Sequence, residues 1–210
     1  MRADAQRNAE KLRTAAAELF QERGLTVPLK EIARRAGVSH GTLYNLFGTR
    51  EALIDEVVAN LAADHLDETA AHALSLEDGW EGFAYYVTRV CELQATGPAV
   101  ADVISGRYPA SVCLMLICTR VQDAATQIIR RAQLAGALRP DFTVEDLLLF
   151  FGTNTLLARA ATDTAPDTWR RQVHFLLDGL RTPTAHEPLP VAPLTPDRMY
   201  AVMGRLAGMQ

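Results

Sequence analysis

The chain has 210 residues, of which 49% are hydrophobic and 22% charged, as in globular proteins that bury a sizeable core. A net charge of −4 and a pI of about 5.7 do not, taken over the whole molecule, suggest a nucleic-acid-binding protein. The charges are unevenly distributed, however. Residues 1–50 hold nine Lys and Arg against five Asp and Glu, a balance of +4, whereas residues 51–210 hold twelve against twenty, a balance of −8. A basic N-terminal quarter on an acidic protein therefore needs an explanation.

The apolar and cysteine patterns exclude several classes of protein. The longest apolar run, residues 112–117 extended by Cys118, is far shorter than the ~18 residues that a membrane span needs. The N-terminus is charged and amphipathic, without the apolar centre of a secretory signal. Three cysteines are an odd number, which argues against a disulfide framework and for a reducing compartment. We therefore expect a cytoplasmic protein that does not associate with membranes.

Apolar residues recur at helical spacing along nearly the whole chain, and no segment shows the alternation of a strand. Gly24 and Gly37 are expected to end helices, while Thr26, Ser39 and Thr49 are candidate N-caps. The sequence predicts helices at residues 5–23, about 28–36, 40–47, 50–73, about 76–94, 99–106, 112–135, 144–161, 167–180 and 196–207. The predicted fold is all-α.

The predicted helices group into three regions. Residues 1–50 form a three-helix module, and residues 51–182 form a larger helical bundle. Half of the ten prolines then fall within fourteen residues, from Pro183 to Pro196, which predicts an extended linker. Residues 183–210 are thus expected to be this linker followed by a short terminal helix.

The most informative segment is 29–47, in which two short predicted helices are joined by the turn Ala36-Gly37-Val38-Ser39. Gly37 allows the left-handed backbone of a sharp turn, and Ser39 caps the free amides of the second helix. That helix buries only its apolar residues Leu43, Leu46 and Phe47. Its remaining side chains, among them Tyr44, are expected to face outward. A short helix that exposes its N-terminal polar residues suits the DNA major groove.

In these residues the sequence resembles the TetR/AcrR family of transcriptional regulators. The resemblance covers residues 10–55, in four consecutive predicted helices. Its residues are Phe20, Gly24, Ile32-Ala33, Ala36-Gly37-Val38-Ser39, Gly41-Thr42-Leu43-Tyr44, Phe47 and Arg50-Glu51-Ala52-Leu53. The resemblance implies a homodimer that binds double-stranded operator DNA through two helix-turn-helix modules, usually as a repressor, and that binds a small-molecule effector in its C-terminal helices.

The same resemblance implies which residues contact DNA. The base-contacting residues would be Lys30, His40, Thr42 and Asn45. The phosphate-contacting residues would be Thr26, Ser39, Tyr44, Thr49 and Arg50. Lys30 could donate to a guanine edge and Asn45 could pair with adenine. The sequence departs from the family at Leu46, where a His or Tyr near the DNA backbone is usual, so we expect one phosphate contact fewer.

Residues of the larger bundle are candidates for a ligand pocket. His65 lies on a stripe with Ile54, Val58 and Leu61, and it is interpreted either as a core histidine or as a polar group in the pocket. The aromatic and thioether residues could line this pocket or simply fill the core. The candidate pocket residues are His65, Trp80, Phe83, Tyr86, Tyr108 and Met115.

Two C-terminal helices are candidates for a dimer interface. Residues 147–151 are apolar on all sides, and residues 169–180 carry an apolar stripe, which together favour an intersubunit four-helix bundle over an internal helix of a monomer. The candidate interface residues are Leu147, Leu148, Phe151, Trp169, Val173, Leu176 and Leu180.

Other functions find less support in the sequence. We find no nucleophile–base pair, phosphate-binding glycine loop, metal triad or carboxylate dyad, so we expect neither an enzyme nor a bound cofactor or metal. His65 and His72 lack a third ligand at local spacing. A ligand-binding helical protein without DNA-binding activity is the alternative. The basic residues around the motif argue against it, namely Lys30, Arg34, Arg35 and Arg50.

Overall fold

A computed structural model describes residues 2–58, 63–105, 111–182 and 189–208. These residues form eleven α-helices and no strand, which confirms the predicted all-α fold. The helices are α1 (Arg2–Arg23), α2 (Leu29–Ala36), α3 (His40–Phe47), α4 (Arg50–Val58), α5 (Ala63–Ser75), α6 (Gly79–Thr96), α7 (Pro98–Ile104), α8 (Val112–Leu134), α9 (Val144–Ala161), α10 (Thr168–Leu180) and α11 (Pro196–Gly208).

The N-terminal helices α1, α2 and α3 pack on one another. The predicted stripe of α1 is buried, with Leu12 and Phe20 fully enclosed. Gly24 ends α1 with φ at 80° and donates its N–H to the Phe20 carbonyl over 2.9 Å. Gly37 takes φ at 66° after α2, and Val38 packs half-buried against the core, as the turn requires. The predicted turn between α2 and α3 is confirmed.

The predicted cap of α2 is wrong. The helix begins at Leu29, and Pro28 occupies the N-cap position with an extended backbone and no side-chain cap. Thr26 lies two residues further upstream and is exposed. Proline fixes φ near −65° and has no N–H to satisfy, so this helix can start without a capping hydroxyl.

The segment predicted as one helix at 50–73 is described as α4 and α5, and residues 59–62, including Leu61, lie outside the described residues. α4 buries Ile54 and Val58 as expected. The buried face of α5 is instead Ala63, Leu66, Thr69, Ala70 and Ala73. The buried stripe of α4 therefore does not continue in phase into α5. The side chain of His65 is exposed, so the expectation that it is a core or pocket residue is wrong.

Helix α6 lies at the centre of the bundle and packs against α5, α7, α8, α9 and α10. Asp78 caps it by accepting hydrogen bonds from the N–H groups of Trp80 and Glu81. Gly82 permits the close approach of α5, because a Cβ there would lie 2.5 Å from the Ala73 carbonyl oxygen. A buried amide, that of Gln94, donates to the Phe151 carbonyl over 3.0 Å and thereby joins α6 to α9.

Among the described residues, only α8 is long and apolar enough to cross a membrane, with a mean hydropathy of 1.3 over its most apolar window. Length and composition are weak evidence, because core helices of globular proteins satisfy the same criterion. α8 packs against α5, α6 and α9 and buries Ile117, Val121 and Ile128 along one face. Here it forms one wall of the bundle.

Candidate DNA-binding surface and internal cavity

Helix α3 is held at its start by a side-chain cap. The Ser39 hydroxyl accepts a hydrogen bond from the Thr42 N–H over 3.1 Å, as predicted, and lies 2.8 Å from the Thr42 hydroxyl. Leu43 is buried, while Leu46 and Phe47 pack half-buried against the core. The apolar residues thus fix the orientation of the helix and leave its opposite face uncovered.

The uncovered face of α3 carries His40, Gly41, Tyr44 and Asn45, all of which are exposed. Tyr44 is 46% exposed, which agrees with the prediction that it faces outward. The rings of His40 and Tyr44 pack edge to face with centroids 4.8 Å apart, one helical turn from each other. This contact orders a polar aromatic edge along the face that carries two of the predicted base contacts, His40 and Asn45, whereas Thr42 is half-buried and Lys30 lies on α2.

The basic side chains around α3 divide into two groups. Lys30 is exposed, and the side chain of Arg34 is 79% exposed with a loose 3.7 Å pairing to Glu31. Arg35 instead pairs with Glu18 and Glu22 of α1, and the hydrogen bond to Glu22 raises the pKa of its guanidinium. Lys30 and Arg34 therefore present charge to the surroundings, whereas Arg35 ties α2 to α1.

The hydroxyl and guanidinium groups predicted to contact phosphate also have contacts within the protein. The Thr49 hydroxyl accepts the Ala52 N–H over 3.1 Å, which confirms the predicted cap of α4. Arg50 donates to the Leu25 carbonyl over 2.8 Å. Thr26 is exposed beside this loop. Thr49 and Arg50 therefore also stabilise the fold, unlike the residues on the exposed face of α3.

A buried carboxylate joins the N-terminal module to the bundle. Asp102 of α7 is 1% exposed, and its Oδ2 accepts the backbone N–H of Leu25 over 2.6 Å. Its other oxygen accepts from Arg159 of α9, also over 2.6 Å. Because Arg50 donates to the carbonyl of the same Leu25, that residue is held at both backbone groups. Sequence reasoning does not single out Asp102, although a lone carboxylate in the apolar run 99–104 is a signal for it.

A second carboxylate joins α4 to the bundle. Asp55 accepts hydrogen bonds from the Ser111 hydroxyl and from the Cys113 N–H, the latter over 3.0 Å. Ser111 also caps α8, so this contact lies at the start of that helix. The helix that follows α3 is thereby attached to the longest helix of the bundle.

The bundle contains a cavity of about 60 Å³ between four helices. Its lining is almost entirely apolar. Val103 and Ile104 come from α7, Cys118, Val121 and Gln122 from α8, Leu148 from α9, and Met199, Tyr200 and Met203 from α11. The cavity is partly open to solvent beside Tyr200, which is 53% exposed. A concave apolar space with a few polar groups is typical of a small-molecule site.

Of the six predicted pocket residues, the five that the structure describes do not line this cavity. Phe83 and Tyr86 are fully buried in the core, and Trp80 is half-buried beside Phe83. Met115 is 57% exposed, like the exposed His65. Tyr108 lies outside the described residues. The aromatic residues of α6 fill the bundle, and the cavity lies further along α8, against helix α11, which the sequence had not associated with a pocket.

The polar groups of the cavity belong to α8 and α11. The Tyr200 hydroxyl donates to Oε1 of Gln122 over 2.9 Å. The Cys118 thiol lies 3.6 Å from the Val103 carbonyl oxygen, and burial raises its pKa to about 11. Burial also raises the pKa of Cys91 and Cys113. All three thiols are therefore protonated near neutral pH, contrary to what a redox-sensing cysteine requires.

The predicted dimer interface is largely wrong at the level of residues. Five of the seven side chains are buried within the chain's own core, namely Leu147, Phe151, Trp169, Val173 and Leu180. Leu148 and Leu176 are half-buried. Other apolar side chains of these helices are incompletely buried. Phe150 of α9 packs against the core, Leu149, Leu156 and Leu157 of α9 are half-buried, and Phe175 of α10 is 62% exposed.

Across the described part of the chain, no group of three or more His, Cys, Asp or Glu side chains is placed to hold a metal ion. What the structure does assemble is a capped short helix with an exposed polar face, attached by two carboxylates to a helical bundle with an apolar cavity. These features define a helix-turn-helix regulator with a C-terminal helical domain.

The chain matches two models of one protein family. The model of bacterial regulatory proteins of the tetR family matches residues 12–57. That of the SbtR-like C-terminal domain of transcriptional regulators matches residues 80–182. The chain belongs to the TetR family of transcriptional regulators.

Individual relatives agree with this family. The transcriptional repressor KstR2 of Rhodococcus jostii is 27% identical over 183 residues, which cover 80% of this chain and 88% of that protein. The uncharacterized regulator YvdT of Bacillus subtilis is 35% identical over 72 residues, 34% of this chain and only 37% of YvdT. The structure of KstR2 of Mycobacterium tuberculosis shares the fold, with a TM-score of 0.59 at 21% identity, and covers 83% of this chain and 95% of that one.

Proposed function

We propose that the protein is a cytoplasmic, homodimeric repressor that binds operator DNA through α3 and is released by a small, largely apolar effector. The observation that carries the proposal is the face of His40, Gly41, Tyr44 and Asn45, which is polar, exposed and oriented by the Ser39 cap. A short helix with such a face fits the major groove.

The roles of the base-contacting residues follow from their chemistry. Asn45 can pair bidentately with adenine, while Lys30 and His40 can donate to guanine N7 or O6. The Thr42 hydroxyl is paired with that of Ser39, which leaves its methyl group for contact with thymine. Four such contacts on each subunit would read a short half-site.

The phosphate contacts would fix α3 in the groove. Tyr44 can donate its hydroxyl to phosphate from the exposed face of α3. Ser39 and Thr49 accept backbone N–H groups through their oxygens. The Thr49 hydroxyl proton can therefore be donated, and so can that of Ser39 when Thr42 is the donor between their two hydroxyls. Arg50 has further N–H groups beyond the one given to Leu25, and Thr26 lies beside that loop. Lys30 and Arg34 add positive charge to the same surface.

Dimerisation is required to read two half-sites, and the incompletely buried apolar side chains of α9 and α10 support it. Leu149 and Leu156 are half-buried and Phe175 is 62% exposed, so each has apolar surface that a second chain could cover. A two-fold dimer through such a surface is self-complementary. It would hold the two α3 helices about one helical turn of DNA, roughly 34–36 Å, apart.

The effector would bind in the α7–α8–α9–α11 cavity. Val103 and Ile104 line this cavity and directly follow Asp102, which holds the Leu25 loop. A ligand that shifts α7 would therefore move the attachment of the N-terminal module. An effector that binds the released state ~100-fold more tightly supplies a coupling of about 2.7 kcal/mol.

An electrophoretic mobility shift with the DNA upstream of the protein's own gene tests this function. We expect a shifted band that resists unrelated competitor DNA and weakens as salt is raised. The absence of a specific band would favour the alternative, a ligand-binding protein without DNA-binding activity. The engagement of Arg35 and Arg50 within the protein is the observation that favours this second candidate.

A further inference from the structure

Helix α11 forms the outer wall of the cavity. Within the part of α11 whose side chains are described, only Met199 and Met203 are buried, at 1% and 7% exposure, one turn apart on the same face. Both side chains line the cavity. The rest of the helix contributes one hydrogen bond to the cavity, from the Tyr200 hydroxyl to Gln122. α11 is thus anchored by two buried, flexible thioether side chains and by the half-buried Leu206, which lies close to Gly152 of α9.

The surface of α9 on which α11 packs leaves room for the Met203 side chain at Gly152. A Cβ atom at Gly152 of α9 would lie 2.7 Å from the Met203 Sδ and 3.0 Å from its Cε. Any side chain at this position therefore requires Met203 to move. The described residues just before α11 include Pro190 and Pro193, and the helix itself begins at Pro196.

The cavity is too small for an effector while α11 is in place. Its volume of about 60 Å³ compares with roughly 300–1,000 Å³ for typical small-molecule pockets. Three of the walls belong to helices that pack on the core helix α6, namely α7, α8 and α9. The fourth wall is α11, which is attached mainly to α9. Movement of α11 would therefore enlarge the cavity without disturbing the packing of α7, α8 and α9 on α6.

We propose that α11 is a displaceable lid, in which Met199 and Met203 occupy the space that an effector takes. The inference rests on the proposed effector site. The ligand would be an apolar molecule with one hydroxyl group, since Gln122 Oε1 now accepts a hydrogen bond from the Tyr200 hydroxyl and would accept one from the ligand instead. Binding and the closed position of α11 are mutually exclusive.

The first test measures ligand affinity with 2-naphthol, an apolar fluorophore that carries one hydroxyl. The double variant Met199→Ala/Met203→Ala removes the side chains that fill the site, and we expect it to bind 2-naphthol about tenfold more tightly than the wild type. Val202→Ala, on the outer face of α11, is the matched control and leaves the affinity unchanged. We expect 2-methoxynaphthalene, which cannot donate, to bind several-fold more weakly. Unchanged or weaker 2-naphthol binding by the double variant, including none at all, overturns the proposal.

The second test follows α11 directly by limited trypsin digestion. Arg198 and Arg205 lie in α11 and are exposed, so cleavage there reports opening of the helix. Saturating 2-naphthol is expected to accelerate this cleavage. Slower cleavage would show that α11 closes over the ligand, and an unchanged rate would show that it does not respond, so either result contradicts the proposal.

A variant without ligand provides a further check. Gly152→Val forces Met203 out of its seat and should accelerate cleavage in α11, whereas Gly179→Val, in open space on α10, should not. Equal rates of tryptic cleavage in α11 for the two variants would contradict the proposal that α11 is a displaceable lid. None of these measurements uses DNA. They can therefore contradict the lid while the mobility shift supports operator binding, and the mobility shift can contradict operator binding while they support the lid.

Discussion

The Asp102 carboxylate accepts the backbone N–H of Leu25 over 2.6 Å, and this bond joins the helix-turn-helix module to the helical bundle. The pair is buried, and the same carboxylate is paired with Arg159. A buried ionised carboxylate is costly unless it is paired and hydrogen-bonded. Asp102 is paired with Arg159 of the bundle and hydrogen-bonded to Leu25 of the N-terminal module at the same time only in one arrangement of the two. Its contacts therefore fix the position of the module relative to the bundle.

Substitution of Gly24 tests this junction. A Cβ at Gly24 would lie 2.5 Å from Asp102 Oδ2, whereas Gly136 has a similar positive φ with nothing within 4 Å. Both alanine variants incur the backbone strain of roughly 1–2 kcal/mol. We expect Gly24→Ala to be less stable than Gly136→Ala by about a further 1–3 kcal/mol, from the weakened bond to Leu25. Urea unfolding measures the difference, and equal stabilities would refute the role of the junction.

Two substitutions on α3 separate positioning from base recognition. Tyr44→Ala should weaken binding to all DNA sequences to a similar extent, because a phosphate contact carries no sequence information. Asn45→Ala should cost about 1–3 kcal/mol on the preferred site and relax the choice of base at one position. Fluorescence anisotropy with a set of single-base operator variants distinguishes the two effects. A uniform loss for Asn45→Ala would contradict its proposed role.

The incompletely buried apolar side chains of α9 and α10 give a prediction for assembly. Leu156→Glu combined with Phe175→Glu places charges in the proposed interface, and we expect a monomer that no longer binds operator DNA. Leu134→Glu, at a residue 79% exposed on the end of α8, is the control and should remain dimeric. Sedimentation velocity measures the outcome. A dimeric double variant would place the interface elsewhere.

The pair Arg139–Asp141 makes stability depend on pH. The Arg139 side chain donates to Asp141 over 2.5 Å and lowers the pKa of the carboxyl to about 2. The unfolded value is near 3.9, so the pair stabilises the folded state at neutral pH, and its contribution is lost between about pH 4 and pH 2. We expect Asp141→Asn to be less stable than the wild type at pH 6, with a smaller difference at pH 2.5. A difference that does not shrink on acidification would exclude this carboxyl as the cause.

The sequence predicts features that depend on neighbours along the chain. The stripe of α1, the positive φ of Gly24 and Gly37 and the cap at Ser39 arise from spacing and backbone preference, and they agree with the structure. Thr26 fails as a cap because Pro28 changes the local start of α2. The predicted DNA contacts remain predictions that depend on the family resemblance.

Features that depend on packing could not be predicted. Helix α9 is apolar on both sides, and spacing alone does not tell that Leu147 and Phe151 are fully buried while Leu149 and Leu156 are only half-buried. His65 follows the phase of α4, although α5 buries a different face. One wall of the cavity is α11, and the sequence does not show that this helix packs against α9. Asp102 pairs with Leu25, 77 residues away.

A DNase I footprint on the DNA upstream of the protein's own gene tests the central claim most directly. We predict protection of two inverted half-sites whose centres are one helical turn, about 10–10.5 bp, or a multiple of it apart, as two α3 helices of a dimer require. Protection should be lost with Tyr44→Ala at a concentration that protects fully with the wild type. The absence of a protected region even at high protein concentration would contradict the proposal that two α3 helices of a dimer bind operator DNA. Protection of a single, unrepeated half-site would contradict it as well.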